Sequence, residues 1–506
     1  GARGARPPPP RAPLAWDGPQ MTQLVASPPT DKTFFGQPRE LAHLFGVEMW
    51  ERFSFYGMQG ILLIYLYYLP SQGGLGISQL AATSIVGAYG GLVYLSTILG
   101  AWLADRVIGS ERTLFYAACL VMVGHLGLAL IPGIAGVAVG LVAIALGSGG
   151  VKANCTSMVG QLYRPDDVRR DAGFSLFYLG INLGGLIGPL VTGFFQTSYG
   201  FHLGFGVAAV GMAVGLIQYS LTRRSLGDIG RLPPNPLPSA HRPRVVLAAV
   251  VAIVLITVAF VTGVVKTDNL SDVVAIITLL SAITYFTVIL TSSRITTIER
   301  RRVAAFIPLF IASAAFWSLY QQQFTVLTVY SDKQLNREIF GWTMPVSWIQ
   351  SINPVFIILL SGVFAALWTK LGSRQPSTPV KFALGTIVMG LAFWLFLPMA
   401  STVPNSAPLI GMVGILFVFT IAELLISPVG LSLSTKLAPA NFRTQMVSLL
   451  FLSVALGTSL SGTLAGYYHV DSQQSYFAIL GAVAVLFGLL LLANKGWILR
   501  LMGGVR

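Results

Sequence analysis

Long apolar runs and short polar connections alternate along almost the whole chain. The runs start near Leu41, Gln79, Thr113, Gly136, Val168, Leu203, Val245, Val273, Val303, Pro345, Val380, Leu409, Phe442 and Tyr476. Each is close to the ~20 apolar residues that cross a hydrocarbon layer as an α-helix. The pattern predicts an all-α integral membrane protein of 14 transmembrane helices with no sizeable soluble domain. The longest polar connection, "TRRSLGDIGRLPPNPLPSAHRPR" from Thr222 to Arg244, follows six runs and carries the proline cluster of a linker. Two plain runs, Val245–Val265 and Val273–Thr291, follow without an internal charge, and six more complete the chain. The expected segments are a disordered leader (1–40), a six-helix bundle (41–222), a cytoplasmic linker (223–244), two inserted helices (245–293), a second cytoplasmic linker (294–302), a second six-helix bundle (303–502) and a tail (503–506).

Basic residues sort by alternate connections. Arg106 and Arg112, Arg164 to Arg170, Arg223 to Arg244, Arg294 to Arg302, Lys370 to Lys381, Lys436 and Arg443, and Lys495 onward fall on one side, against Lys266, Lys333 and Arg337 on the other. The rich side is the cytoplasmic one by the positive-inside rule, and an even number of spans then puts both termini there. Composition agrees with a membrane protein: 54% hydrophobic and 10% charged, where soluble chains carry about 25% charged residues. The net charge of +14 resides in these short clusters rather than on one folded face, so nucleic acid is not an expected partner. Cys119 and Cys155 lie in apolar segments, which supports neither a disulfide framework nor a paired-cysteine metal site. No nucleotide loop, metal cluster or nucleophile triad suggests an enzyme or a bound cofactor. Residues 1–20 lack an apolar signal-peptide core and precede Met21, a candidate natural start.

Five charged residues stay well inside predicted spans: Glu48, Glu51, Arg52, Lys152 and Glu423. Each costs about 2.5 to 3.5 kcal/mol at a helix centre, so such residues face a protein interior or an aqueous route. Glu48, Glu51, Arg52, Phe55, Tyr56 and Gln59 share one helical face, with Glu48 and Arg52 at the i, i+4 spacing of an ion pair. Two acids sharing one strong cation can hold or release a proton; an internal ion pair that only fixes packing is the other reading. "GSGGVKANCTSMVGQLY" sets small residues before Lys152, and "FSLFYLGINLGGLIGPL" puts Tyr178 and Asn182 on one face. In the second half, Trp317, Tyr320, Gln321 and Phe324 make an aromatic and amide stripe. Asn353 precedes Pro354, and Glu423 lies four residues from Ser427 and ahead of Pro428, so both polar groups sit beside an expected helix break.

"GAWLADRVIGSERT", Gly100 to Thr113, is a Gly-x-x-x-Asp-Arg turn that resembles the major facilitator signature. Together with the Glu-x-x-Glu-Arg element at Glu48 to Arg52, "FYLGINLG" at Phe177 to Gly184 and "AELLISPVGLSLSTKLAP" at Ala422 to Pro439, it makes the chain resemble bacterial proton-dependent oligopeptide transporters of that superfamily from about Leu41 to Arg500. The resemblance implies the major facilitator fold in a bacterial cytoplasmic membrane. It also implies import of di- and tripeptides, and of peptide-like drugs, by symport with protons and alternating access. Arg52 and Lys152 would bind the peptide carboxylate; Asn182, Asn353 and Glu423 its amine; Tyr56, Tyr94, Trp317, Gln321, Ser427 and Phe451 would line the pocket; Glu48, Glu51 and Arg52 would couple the proton. The chain departs from many such relatives at Phe55, Gln59 and Leu450, where they have tyrosine, arginine and tryptophan, and at Gln321, where they have glutamate. Symport of another small anion or zwitterion such as nitrate or an amino-acid conjugate, drug export and a binding-only receptor are the competing expectations.

Overall fold

The computed structural model describes residues 33–164 and 167–504. The helices are α1 (Arg39–Tyr67), α2 (Gln79–Leu103), α3 (Ser110–Leu130), α4 (Gly133–Gln161), α5 (Arg170–Tyr199), α6 (Phe201–Thr222), α7 (Arg242–Val261), α8 (Leu270–Thr291), α9 (Thr297–Tyr320), α10 (Val326–Lys333), α11 (Ile352–Leu371), α12 (Thr378–Trp394), α13 (Leu409–Lys436), α14 (Arg443–Ala465), α15 (Gln473–Ala493) and α16 (Lys495–Met502). A long helix begins near every expected start, and among the described residues 13 are long and apolar enough to cross a membrane. The expected fourteenth span is α1, which carries Glu48, Glu51 and Arg52 and falls outside that set. A two-residue hairpin pairs Glu338 with Thr343 and Ile339 with Trp342.

Helix α1 packs on α5 and α6, α2 on α4, and α3 on α4 and α6, which closes the first bundle. In the second, α12 meets α13 and α15, and α9 meets α14. The seam between α1 and α5 depends on absent side chains: a Cβ at Gly184 would meet the Met49 carbonyl and the Arg52 Cβ, and one at Gly188 would meet the Phe53 carbonyl and the Gly57 nitrogen. Such close approach is how membrane helices gain packing when lipid is as apolar as leucine. Thr192 Oγ1 continues the seam by donating to the Gly57 carbonyl at 2.8 Å. The two bundles touch through α2 and α14, where Gly87 faces Gly462 backbone to backbone.

Several expected boundaries move. Most of the proposed leader lies outside the described residues, but residues 33–38 are docked: Phe34 and Gln37 exchange backbone hydrogen bonds, and Tyr163 donates to Gln37 Oε1 at 3.0 Å. The first linker is folded along the α2–α3 turn, with Asn235 N donating to the Asp105 carbonyl and Leu237 N to that of Arg106. Arg223 forms a bidentate pair with Glu111 at 2.6 and 3.0 Å. Helix α9 starts at Thr297, inside the expected second linker, because Thr296 and Glu299 make a reciprocal capping box. Of the two inserted helices, α8 packs on α2 and α14, whereas α7 has no buried residue. Helix α13 runs unbroken through Pro428, against the expected interruption; the other expected break is a short 3₁₀ segment, Val346–Ser351, that hands over to α11 just before Asn353.

Gly188→Val should be destabilising, since overpacking a tight seam costs about 1 to 3 kcal/mol. Gly206→Ala, whose Cβ would meet nothing within 4 Å, should be nearly neutral. Thermal unfolding of both purified variants in detergent measures the difference; equal midpoints would contradict the seam.

Candidate functional site

Arg52 is only 2% exposed and stands between two carboxylates of its own helix. Its Nε donates to Glu48 Oε1 at 3.0 Å, one turn away. Its Nη2 lies 2.7 Å from Glu51 Oε2, an ion pair whose angle does not make an aligned hydrogen bond. From α4, Ser148 Oγ donates to Glu51 Oε1 at 2.5 Å. The guanidinium also rests 5.2 Å from the centre of the Phe55 ring. Two acids therefore share one cation, and Glu51 alone also accepts from a hydroxyl, an arrangement whose charge balance changes if another anion claims the guanidinium.

Lys152, one turn beyond Ser148 on α4, enters no ion pair among the described residues. Its ammonium lies 4.2 Å from the centre of the Tyr94 ring of α2, a cation–π contact that leaves its donors available. Small residues place it: a Cβ at Gly100 would meet Gly150, which brings α2 against α4 just before the lysine.

The opposite wall comes from the second half. Tyr320, at the end of α9, donates its hydroxyl to Glu423 Oε2 at 2.7 Å and lies 3.2 Å from Asn353 Oδ1. Asn353 Nδ2 donates to Thr420 Oγ1 at 2.9 Å and reaches Glu423 Oε2 at 3.3 Å. Helices α9, α11 and α13 thus present one buried carboxylate held by neutral donors and paired with no cation among the described residues. Asn182 on α5 gives its amide N–H to the Tyr178 carbonyl at 2.9 Å.

These walls enclose one cavity of about 230 Å³. Arg52, Lys152, Asn182, Asn353, Glu423, Tyr56, Tyr94, Trp317, Gln321 and Ser427, all expected from the sequence, line it. Glu48 and Glu51 do not; they sit behind Arg52. Phe451 is not in the lining either, and α14 contributes Thr458, two turns further along the same face. Sequence reasoning did not single out Gln323, Gln350 or Thr458 as lining residues. The run of three glutamines just after α9 was a visible signal: a 3₁₀ turn there, Gln321–Phe324, replaces the α-helix, and Gln321 and Gln323 line the cavity.

The chain matches the POT family ("PTR2: POT family") over residues 111–482. It is 40% identical over 492 residues to a di-/tripeptide transporter of Lactococcus lactis subsp. cremoris, covering 94% of this chain and 99% of that one. It is 42% identical to the uncharacterized transporter YclF of Bacillus subtilis, covering 95% and 98%. A crystal structure of a mutant of the peptide transporter POT in complex with alafosfalin superposes with a TM-score of 0.88 at 45% identity, covering 94% and 97%.

Arg52→Met alone leaves two buried carboxylates without their cation, and breaking a buried pair in this way costs about 3 to 5 kcal/mol. Removing all three charges with Arg52→Met, Glu48→Gln and Glu51→Gln should recover most of that loss. Thermal unfolding in detergent compares them; a triple variant no more stable than the single one would show that charge balance is not what the cluster provides.

Proposed function

The chain belongs to the POT family, and from that premise we propose that it is a proton-coupled symporter importing di- and tripeptides by alternating access. The observation that carries this reading is the polarity of the cavity. Arg52 and Lys152 reach it from the first half, and Glu423 with Asn353 from the second. Every small peptide presents a carboxylate at one end and an ammonium at the other, so cations on one wall and an acid on the other recognise the class without reading its side chains. The bound peptide's carboxylate engages Arg52 and Lys152, and its amine meets Glu423, Asn353 and Asn182. Similarity to a di-/tripeptide transporter over nearly the full length supports the same substrate class.

In this reading all fourteen long helices span the cytoplasmic membrane with both termini inside. The two bundles rock about the cavity. Protons are the only coupling species and no cofactor takes part. When a peptide carboxylate draws on Arg52, Glu48 and Glu51 lose part of their neutralisation and one of them takes a proton, so binding and protonation favour each other. Inward movement of each charge across 100 mV contributes about 2.3 kcal/mol, which drives accumulation of a neutral zwitterion.

Flux of labelled dialanine into proteoliposomes tests the proposal: an inward proton gradient should produce accumulation, and its absence would overturn peptide symport. Glu48→Gln and Glu51→Gln should each abolish gradient-driven accumulation yet keep exchange of labelled for unlabelled dialanine, which needs binding and rocking but no net proton cycle. Accumulation that survives in both would move the coupling proton elsewhere. Blocking the peptide amine should weaken binding about tenfold or more in the parent and much less in Glu423→Gln, because both changes remove the same ion pair, worth about 1.4 kcal/mol per factor of ten. Additive losses would exclude Glu423 as the amine site.

A further inference from the structure

The charged groups account for the two ends of a peptide but leave one part of the cavity unexplained. Four glutamines line it: Gln59 from α1, Gln321 and Gln323 from the 3₁₀ turn after α9, and Gln350 from the turn before α11. All are nearly sealed, at 4%, 6%, 7% and 8% exposure. Gln59 lies seven residues beyond Arg52, about 10 Å along the helix, so it is well separated from the carboxylate end. Gln350 reaches the same helix at the next residue: its Oε1 would be 3.4 Å from a Cβ at Gly60. The stacked rings of Tyr56 and Phe324, 6.2 Å apart, form an adjoining wall.

Two of these amides are unpartnered in a telling way. The Oε1 atoms of Gln59 and Gln350 are buried and accept no hydrogen bond from the protein. The Gln350 nitrogen reaches only Thr328 Oγ1, at 3.4 Å. A buried carbonyl oxygen without a donor costs free energy; both oxygens are sealed in this conformation, but both side chains line the cavity, where rotation of either amide turns its oxygen toward a donor on a ligand.

We propose that these glutamines form a neutral subsite that favours peptides whose side chain carries a primary amide. This rests on the peptide-transport reading and adds a side-chain preference to it. An amide offers donors to Gln59 and Gln350 Oε1 and an acceptor to the glutamine nitrogens, the self-complementary pattern that amides share. A carboxylate or ammonium side chain finds no counter-ion here, since the charged groups lining the cavity are Arg52, Lys152 and Glu423, committed to the peptide ends. An apolar side chain of equal size leaves both oxygens unpaired; sites built to hydrogen-bond discriminate strongly against ligands that lack the group.

The experiment is competition against labelled dialanine in proteoliposomes, using the near-isosteric set Ala-Gln, Ala-Glu and Ala-Met and its reversed forms. In the parent, one of the two glutamine peptides should compete about tenfold better than both of its counterparts. In the double variant Gln59→Leu, Gln350→Met that preference should fall to about threefold or less. Gln59→Glu, which keeps a polar group in place and guards against a misfolded double variant, should shift the preference toward Ala-Lys or Lys-Ala. Absence of dialanine uptake by the parent overturns the peptide reading, and the subsite with it. Dialanine uptake with equal competition by the three peptides in both orders, or a glutamine preference that persists in both variants, overturns the subsite alone.

Discussion

A single guanidinium balancing two carboxylates inside the membrane is the constraint around which the first half is built. Arg52 cannot sit in lipid, and Glu48 and Glu51 cannot both be charged without it, so the three must be enclosed together. Enclosure demands that α5 come close enough to cover the cluster, which only Gly184 permits at that level, and that α4 supply a donor, which Ser148 does. The same approach of α5 brings Asn182 to the cavity, and the same α4 carries Lys152 one turn beyond Ser148. The ion cluster and the cavity wall are therefore one piece of packing seen from two sides.

The second half solves the opposite problem. Among the described residues Glu423 pairs with no cation and is held by the Tyr320 hydroxyl and the Asn353 amide, with Thr420 fixing the asparagine. Neutral donors stabilise a buried carboxylate less than a guanidinium does, so this wall stays receptive to an incoming cation. The first wall keeps Lys152 free of ion pairs and stays receptive to an anion. A zwitterion of suitable span satisfies both halves at once, and in the proposed cycle that shared satisfaction is what draws the bundles together.

Much of this was legible in the apolar runs and the five charges left among them, because burying a charge in lipid is so costly that its presence is informative. What was not legible depends on contacts between distant residues. No local pattern announces that Tyr67 and Tyr68 donate to Asp332, which lies more than 260 positions away. Phe451 looked like a pocket aromatic by resemblance, but the cavity takes Thr458 from that helix. Pro428 suggested a break, yet α13 continues through it, as membrane helices do when neighbours satisfy the freed carbonyl. The amides at Gln59 and Gln350 were in plain sight as letters; their unpartnered oxygens appear only once three elements converge.

The contacts joining the halves gather at one end. Tyr67 and Tyr68 hold Asp332 at 2.5 and 2.6 Å, Lys333 Nζ donates to Gln79 Oε1 at 2.9 Å, and Trp348 Nε1 donates to the Leu190 carbonyl at 2.9 Å. Ser347 and Ser351 add bonds to the Pro189 and Leu186 carbonyls. These run from the middle of α5, at Leu186, to the helix ends remote from the arginine-rich connections, the external side in the proposed orientation. Each such bond contributes a net 0.5 to 1.5 kcal/mol in general, more where a carboxylate accepts, so the seal is a sum of modest terms rather than one lock. That suits the proposed cycle, in which the molecule opens there, since two conformations that exchange readily differ by only a few kcal/mol. The close contact of Gly87 with Gly462, with Thr458 and Ser459 of α14 seated on Gly90 and Gly91 of α2, supplies the complement: a seam of small residues between the halves. Charges enclosed within each half, and modest, dispersed polar contacts between the halves, make the division of energies that the proposed rocking of two bundles requires.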